Sequence, residues 1–217
     1  MGNSGRFIGI LFFSAVAGVL IWRLPINGWG SLVWFAEGFL VNLIRAPHAQ
    51  RNKENVIVDT RRKLTERILL GFVMLGGSFI PILQLTTGVF NAANYALSDL
   101  ATGFGVLLLA PALYLFWRSH ADLGRNWSVT VELREGHTLV TEGIYKRIRH
   151  PMYSAIWLMV LAQPFLIHNW IAGFAGIVSF GLIYFIRVPY EERMMHEQFG
   201  DEYDDYCERS GRLWPKW

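Results

Sequence analysis

Three short groups in this 217-residue chain carry side chains able to do chemistry. The first runs from His137 through Thr138, Leu139 and Val140 to Tyr145, and the apolar and aromatic members of this loop predict that it folds against something. The second is Arg149-His150-Pro151-Met152-Tyr153, preceded by Lys146 and Arg147. The third is Arg187 with Glu191 and Glu192. A proline after a polar residue, as in His150-Pro151, reads as a helix start. The free amide donors and partial positive charge of such an end suit a ligand carboxylate or phosphate, over which Tyr153, one turn in, would close. The plainer alternative is an ordinary helix start flanked by membrane-proximal cations. Arg187 reads either as a snorkelling cation at a helix end or as a ligand contact. Glu191 and Glu192 read either as a solvated face or as carboxylates for a cationic ligand. Four residues apart, Arg187 and Glu191 would share a helix face, but Pro189 lies between them and suits the first turn of a separate helix.

The elements that must position these groups are apolar blocks. Hydrophobic residues make up 53% of the chain and charged ones 17%, and nine residues are Trp. Six blocks approach the length that a hydrocarbon layer about 30 Å thick demands of a helix. They run over residues 7–22, 28–44, 68–85, 100–117, 151–167 and 170–188. No small-residue cleavage site follows the first, so it reads as a span rather than a leader. The expected fold class is all-α: a polytopic integral membrane protein with five to six transmembrane helices. Nineteen of the twenty Lys and Arg fall at the start of the chain, in residues 45–67 and 118–149, or from Arg187 onward, and only Arg23 falls elsewhere. With an even number of spans, this bias puts both termini and both long basic segments in the cytosol. It accounts for the formal net charge of +3 without a nucleic-acid partner.

His168 and Asn169 alone separate the fifth and sixth blocks, which predicts a tight antiparallel helical hairpin. Its two cytosolic ends, near His150 and Arg187, should therefore meet. Residues 46–66 read as an ordinary charged connection, or as one that ends in a short amphipathic start to the third helix. Residues 118–150 read as a folded loop, with a turn at Gly124 and a short extended piece in Val129-Thr130-Val131-Glu132-Leu133. Beyond Pro189, Met195, Phe199, Tyr203 and Tyr206 recur at helical spacing among carboxylates, predicting an amphipathic helix bent at Gly200. The closing Arg212-Leu213-Trp214-Pro215-Lys216-Trp217 reads as an interfacial anchor. Two regions result: residues 1–117, the N-terminal spans, and residues 118–217, the catalytic region. Cys207 is the lone cysteine, which excludes an internal disulfide. Glu37 sits mid-block, and reads first as a structural polar contact. No metal-ligand spacing, glycine-rich phosphate loop or Ser-His-Asp set is evident, so no metal is expected.

The stretches 123–128 (LGRNWS) and 137–157 (HTLVTEGIYKRIRHPMYSAIW), followed by 191–215 (EERMMHEQFGDEYDDYCERSGRLWP), resemble the isoprenylcysteine carboxyl methyltransferase family and related membrane phospholipid methyltransferases. The likeness covers roughly residues 120–217. Its specificity lies in the combination of Arg149-His150-Pro151 and Tyr153 with a glutamate pair. The resemblance implies S-adenosyl-L-methionine as methyl donor, and a cytosolic pocket built from the loop, the hairpin start and the C-terminal helix. It implies that His137, Thr138, Leu139, Val140, Tyr145, His150, Pro151, Met152, Tyr153 and Glu191 bind this cofactor. Arg187 matches the family's substrate arginine, so Arg187 and Glu191 are the implied catalytic pair. Two departures stand out: Ala155 occupies a place where the family usually has glycine, and Thr130 one where a longer amide is typical.

Carboxylate attack on a sulfonium consumes both charges, and a carboxylate is already ionised near neutral pH, so no general base is needed. The implied acceptor is a lipophilic small molecule or prenylated acid drawn from the membrane lipids. A phospholipid amine, a small lipophilic acid or a thiol are alternatives within the same chemistry. An NADPH-dependent reductase of the sterol-reductase type and a non-enzymatic membrane protein are the rivals outside it.

Overall fold

The computed structural model describes residues 3–52, 57–60, 63–124, 132–134 and 138–217. Helix α1 (Asn3–Trp22) and a single-turn helix α2 (Leu24–Asn27) lead into α3 (Gly30–Asn52). Strand β1 (Ile57–Thr60) precedes α4 (Lys63–Met74), which passes through a π-helical turn, Leu75–Phe79, into α5 (Ile80–Thr87). Helix α6 (Asp99–Leu123), strand β2 (Glu132–Arg134) and a 3₁₀ turn (Gly143–Lys146) follow. Then come α7 (Pro151–Leu166), α8 (Trp170–Phe199) and α9 (Asp201–Arg209).

Among the described residues, three helical stretches are long and apolar enough to cross a membrane: Leu64–Thr87, Asp99–Leu123 and Trp170–Phe199. Phe7–Trp22 and Pro151–Leu166 are apolar but shorter. Their outward faces carry large exposed hydrophobic side chains, Leu107 at 71%, Val178 at 72% and Phe185 at 71% among them. A surface of this kind is at home against hydrocarbon rather than water. Inside, Leu20 of α1, Trp34 of α3, Leu85 of α5, Leu109 of α6 and Leu166 of α7 share one core cluster. The second block of the sequence is therefore an inward-packed helix that extends well past residue 44, to Asn52, with Pro47 inside it.

The hairpin turns as its sequence predicts. The Asn169 side chain caps α8, accepting from the Ile171 and Ala172 amides at 3.0 and 2.9 Å. Its amide nitrogen donates to the Phe90 carbonyl and to Asn94 Oδ1 at 2.6 and 2.7 Å. This polar knot fixes the end of the bundle opposite His150 and Arg187. In mid-bundle, Gln163 of α7 donates to the Ala172 carbonyl at 2.6 Å and fastens the two arms.

Three expectations change. Pro189 does not begin a new helix: α8 continues through it to Phe199. The ring sits on an exposed face, so the cost is one lost backbone hydrogen bond and local bending rather than a break. The predicted bend at Gly200 is real, for Gly200 has φ +53° and separates α8 from α9. Second, residues 46–66 are not a plain connection: α3 fills their start, and β1 pairs antiparallel with β2, Asp59 opposite Leu133 and Thr60 opposite Glu132. Among the described residues the fold is thus helical, with a two-stranded ribbon tying the two basic segments together. Third, the closing segment does more than anchor. Arg149 N and His150 N donate to the Gly211 and Arg212 carbonyls at 2.8 and 3.0 Å, so the tail lies as a parallel strap along the approach to α7.

Gly76, in the π-helical turn, packs directly on α8, where a β-carbon would collide with the Ala175 carbonyl and Ser179 Oγ. Backbone cannot step aside as a flexible side chain can, so Gly76→Ala is expected to cost about 1–3 kcal/mol of overpacking strain. A lowered thermal midpoint of the detergent-purified protein would register it, and an unchanged midpoint would refute the close approach.

Candidate active site

The first turn of α7 and the polar half of α8 face each other at the end of the hairpin away from Asn169. Pro151 occupies the first helical position with His150 at the cap, as the sequence predicts. Tyr153 points across to α8, where its hydroxyl donates to Glu191 Oε1 at 2.8 Å. Arg187 Nε donates to the same oxygen, also at 2.8 Å, along the helix face that straddles Pro189. Both donors thus take Oε1. His150 Nδ1 lies 3.9 Å from Oε2, beyond hydrogen-bonding reach. One carboxylate oxygen is fixed and the other is left presentable.

Arg187 has a second acid within reach: Glu66 of α4, whose Oε2 lies 3.5 Å from its Nε. The Arg187 side chain is 10% exposed and that of Glu66 is 7%. Sequence reasoning missed Glu66, because a charged residue at the start of a helix after a polar connection looks solvated. Only the packing of α4 against α8 buries it. Glu192, next to Glu191, faces the other way. It accepts from His150 Nε2 at 3.3 Å and from Arg212 Nε at 3.0 Å, with Arg149 Nε 3.6 Å away. The glutamate pair thus divides its work: Glu191 serves the α7–α8 cleft, and Glu192 binds the strap.

The walls are aromatic. The Tyr153 ring lies 5.8 Å from Tyr184, 6.0 Å from Phe180 and 5.6 Å from His150. Below them Trp157 and Phe180 join Leu69, Val160 and Ile183 in an apolar cluster. Aromatic faces with a carboxylate between them suit a sulfonium or ammonium group. A buried platform supports the cleft from the loop side. Tyr145 donates to the Ser119 carbonyl of α6 at 3.3 Å, and its own carbonyl accepts from Tyr206 of α9 at 2.6 Å. Burial, with the charges of Tyr206, Asp122 and Glu191 adding to it, holds the Tyr145 phenol well above its ordinary value, so it stays a donor. Gly143, at φ +60°, lets the turn approach Asp122, whose Oδ2 accepts from the Ile144 amide at 2.8 Å.

Among the residues singled out from sequence, His150, Tyr153, Arg187 and Glu191 converge directly. Pro151 is buried and Met152 half-buried in the first turn of α7. Tyr145 sits beneath the site as support. Thr138, Leu139 and Val140 form the irregular approach to the 3₁₀ turn. His137 and Thr130 lie outside the described residues. Ala155, where a glycine was expected, is wholly buried. Arg149 reads from sequence as a flanking cation and Arg212 as part of an interfacial anchor, yet both fasten the strap: Arg149 donates to the Cys207 carbonyl at 3.1 Å and also to that of Ser210, and Arg212 pairs with Glu192.

Glu192→Gln would leave the Arg149 side chain, 12% exposed, without its carboxylate. Removing one member of a largely buried pair is expected to cost about 3 kcal/mol, whereas Arg212→Ala, at a half-exposed partner, should cost under about 1 kcal/mol. Thermal unfolding, with hydrogen exchange followed over residues 209–216, measures the difference; equal effects would contradict the division of labour between the two glutamates.

Residues 104–197 match the isoprenylcysteine carboxyl methyltransferase family. A protein-S-isoprenylcysteine O-methyltransferase B of Arabidopsis thaliana is 30% identical over 110 residues, 50% of this chain and 56% of that protein. The Schizosaccharomyces pombe protein-S-isoprenylcysteine O-methyltransferase is 28% identical over 213 residues, 94% of this chain and 89% of that one. Matches to the first plant relatives span about half of those proteins' length. The solved eukaryotic intramembrane Ras methyltransferase shares the fold with a TM-score of 0.54 at 17% identity, over 94% of this chain and 74% of its own. The matched residues run from α6 to the polar half of α8 and contain His150, Tyr153, Arg187 and Glu191, and over this stretch the chain is similar to the isoprenylcysteine carboxyl methyltransferase family.

Proposed function

We propose that the chain is an S-adenosyl-L-methionine-dependent methyltransferase that esterifies the carboxylate of a lipophilic acid, an isoprenylcysteine in the first instance. The observation that carries this reading is the doubly held Glu191: Tyr153 and Arg187 both fix Oε1 at 2.8 Å, within the matched residues. The names of the relatives, all protein-S-isoprenylcysteine O-methyltransferases in the alignments above, support the acceptor class.

When bound, the donor supplies a methyl group on a sulfonium. Glu191 would offer its open Oε2 to the donor's ammonium group, while Tyr153 and Tyr184 line the cationic centre with ring faces. His150 and the amides opening α7 would take the donor's carboxylate. Arg187 would orient the acceptor carboxylate with the guanidinium nitrogens that remain beside Nε. With Arg187 holding the acceptor, the donor would supply its methyl group to the acceptor oxygen, and the carbon–sulfur electron pair would stay with sulfur. The products are a methyl ester and a neutral thioether. No proton moves, so no base is required of the chain. Attractive charges are consumed in this step, and a site screened from water by the strap, α9 and the aromatic wall favours it. The acceptor's tail would remain in the bilayer between the helices. The bias of Lys and Arg toward one end supports a cytosolic site and cytosolic termini.

The test is transfer of labelled methyl from S-adenosyl-L-methionine to a panel of prenylcysteine acids, phospholipid amines and lipophilic thiols. Esterification of the acids alone is expected. Labelling of amines or thiols instead would replace the acceptor class, and saturable NADPH binding without methyl transfer would replace the reaction. Arg187→Ala is expected to abolish turnover, by more than about 100-fold, while S-adenosylhomocysteine still binds. Glu191→Ala is expected to weaken S-adenosylhomocysteine about tenfold or more, as loss of a charged hydrogen bond does. A fully active Glu191→Ala variant would remove that carboxylate from the site.

A further inference from the structure

Two carboxylates meet one nitrogen of Arg187. Glu191 Oε1 accepts from its Nε at 2.8 Å, and Glu66 Oε2 lies 3.5 Å from the same atom. Glu66 belongs to the first turn of α4 and is almost wholly buried. Its place is set by packing one turn further on, where Leu69 of α4 joins Phe180 and Ile183 of α8 in the cluster beneath the cleft. Burying a carboxylate is costly, and a shared guanidinium and the positive end of the α4 dipole offset only part of that cost. Glu191 already pairs with Arg187 four residues away on the same helix. Holding the guanidinium therefore does not by itself account for a second acid.

Glu66, Arg187 and Glu191 together carry one more negative charge than positive. Any carboxylate that Arg187 takes up is separated from Glu66 by a single guanidinium, and like charges at that range repel where water is scarce. The repulsion does not act equally along the proposed reaction. It is greatest for the bound acid, falls as the acceptor oxygen gives up its charge, and vanishes for the neutral ester. An interaction that destabilises the bound acid more than the transition state weakens binding and speeds the step that follows.

We infer that Glu66 is a positioning residue that acts through Arg187, keeping its hold on the acceptor's carboxylate weak so that the bound acid lies closer in energy to the transition state. This rests on the reading of the chain as a carboxyl methyltransferase. A Glu66 that only fastened α4 to α8 would have a different signature: its loss would weaken the acid or leave it unchanged.

The experiment measures binding of S-farnesylcysteine and of its carboxamide to the full chain in detergent, saturated with S-adenosylhomocysteine. Single-turnover methyl transfer is measured alongside, on the wild type, Glu66→Gln and Glu66→Asp. Glu66→Gln is expected to bind the acid about fivefold more tightly and to transfer methyl about fivefold more slowly. The carboxamide and S-adenosylhomocysteine should stay within about twofold, since neither presents a carboxylate to Arg187. Glu66→Asp keeps the charge, and should stay nearer the wild type in both affinity and rate. If Glu66→Gln binds the acid no more tightly than the wild type, or transfers methyl as fast, the inference falls while the methyltransferase reading stands. The wild type provides a check that needs no variant to fold. Its preference for the acid over the carboxamide is expected to be no more than about tenfold, where an unopposed guanidinium would give about a hundredfold. A preference at that higher level overturns the inference. If the wild type esterifies no acid, the underlying reading fails and takes this inference with it.

Discussion

The pairing of Arg187 with Glu191 across Pro189 is the constraint on which the site depends. It spans the one position in α8 that cannot donate to the backbone ladder, and it holds a guanidinium and a carboxylate together where little water reaches them. Charges so placed are tolerable only if the rest of the environment is fixed. The Tyr153 hydroxyl, Glu66 from α4 and the first turn of α7 supply that environment from three other elements. The Gln163 crosslink and the close packing at Gly76 hold those elements at the required separation. Packing deep in the bundle is thereby coupled to the position of one carboxylate oxygen at its end.

A second layer covers the first. The strap after α9 runs beside residues 147–150, fastened by backbone hydrogen bonds, by Arg149 and by the Arg212–Glu192 pair. Tyr206 and Tyr145 join α9 to the 3₁₀ turn and α6 in one continuous set of hydrogen bonds. In the proposed reaction this layer excludes water from a step in which opposite charges annihilate. The donor brings the reactivity, and the chain contributes orientation, charge balance and dryness.

Much of this was legible in the residues. The helical hairpin followed from two apolar blocks separated by His168 and Asn169, and the meeting of His150 with Arg187 followed from the hairpin. The bend at Gly200 and the helix start at Pro151 were local signals that local geometry honours. What sequence hid was long-range. Glu66 looks like a solvated charge because its burial comes from α8, distant in the chain. The pairing of β1 with β2 likewise joins segments that carry little pattern of their own. Pro189 misled for a different reason: its usual effect on a helix is overridden when its ring lies on an exposed face and an i,i+4 pair bridges it. The resemblance supplied what neither periodicity nor spacing offered, which is the chemistry.

The most direct measurement is hydrogen exchange mapped along the purified chain with and without saturating S-adenosylhomocysteine. The account predicts protection concentrated in residues 147–154, 187–192 and 209–213, with the segment around Asn169 unchanged. Protection confined to the Asn169 end, or none at any concentration, would contradict a nucleotide-binding cleft between the facing ends of α7 and α8.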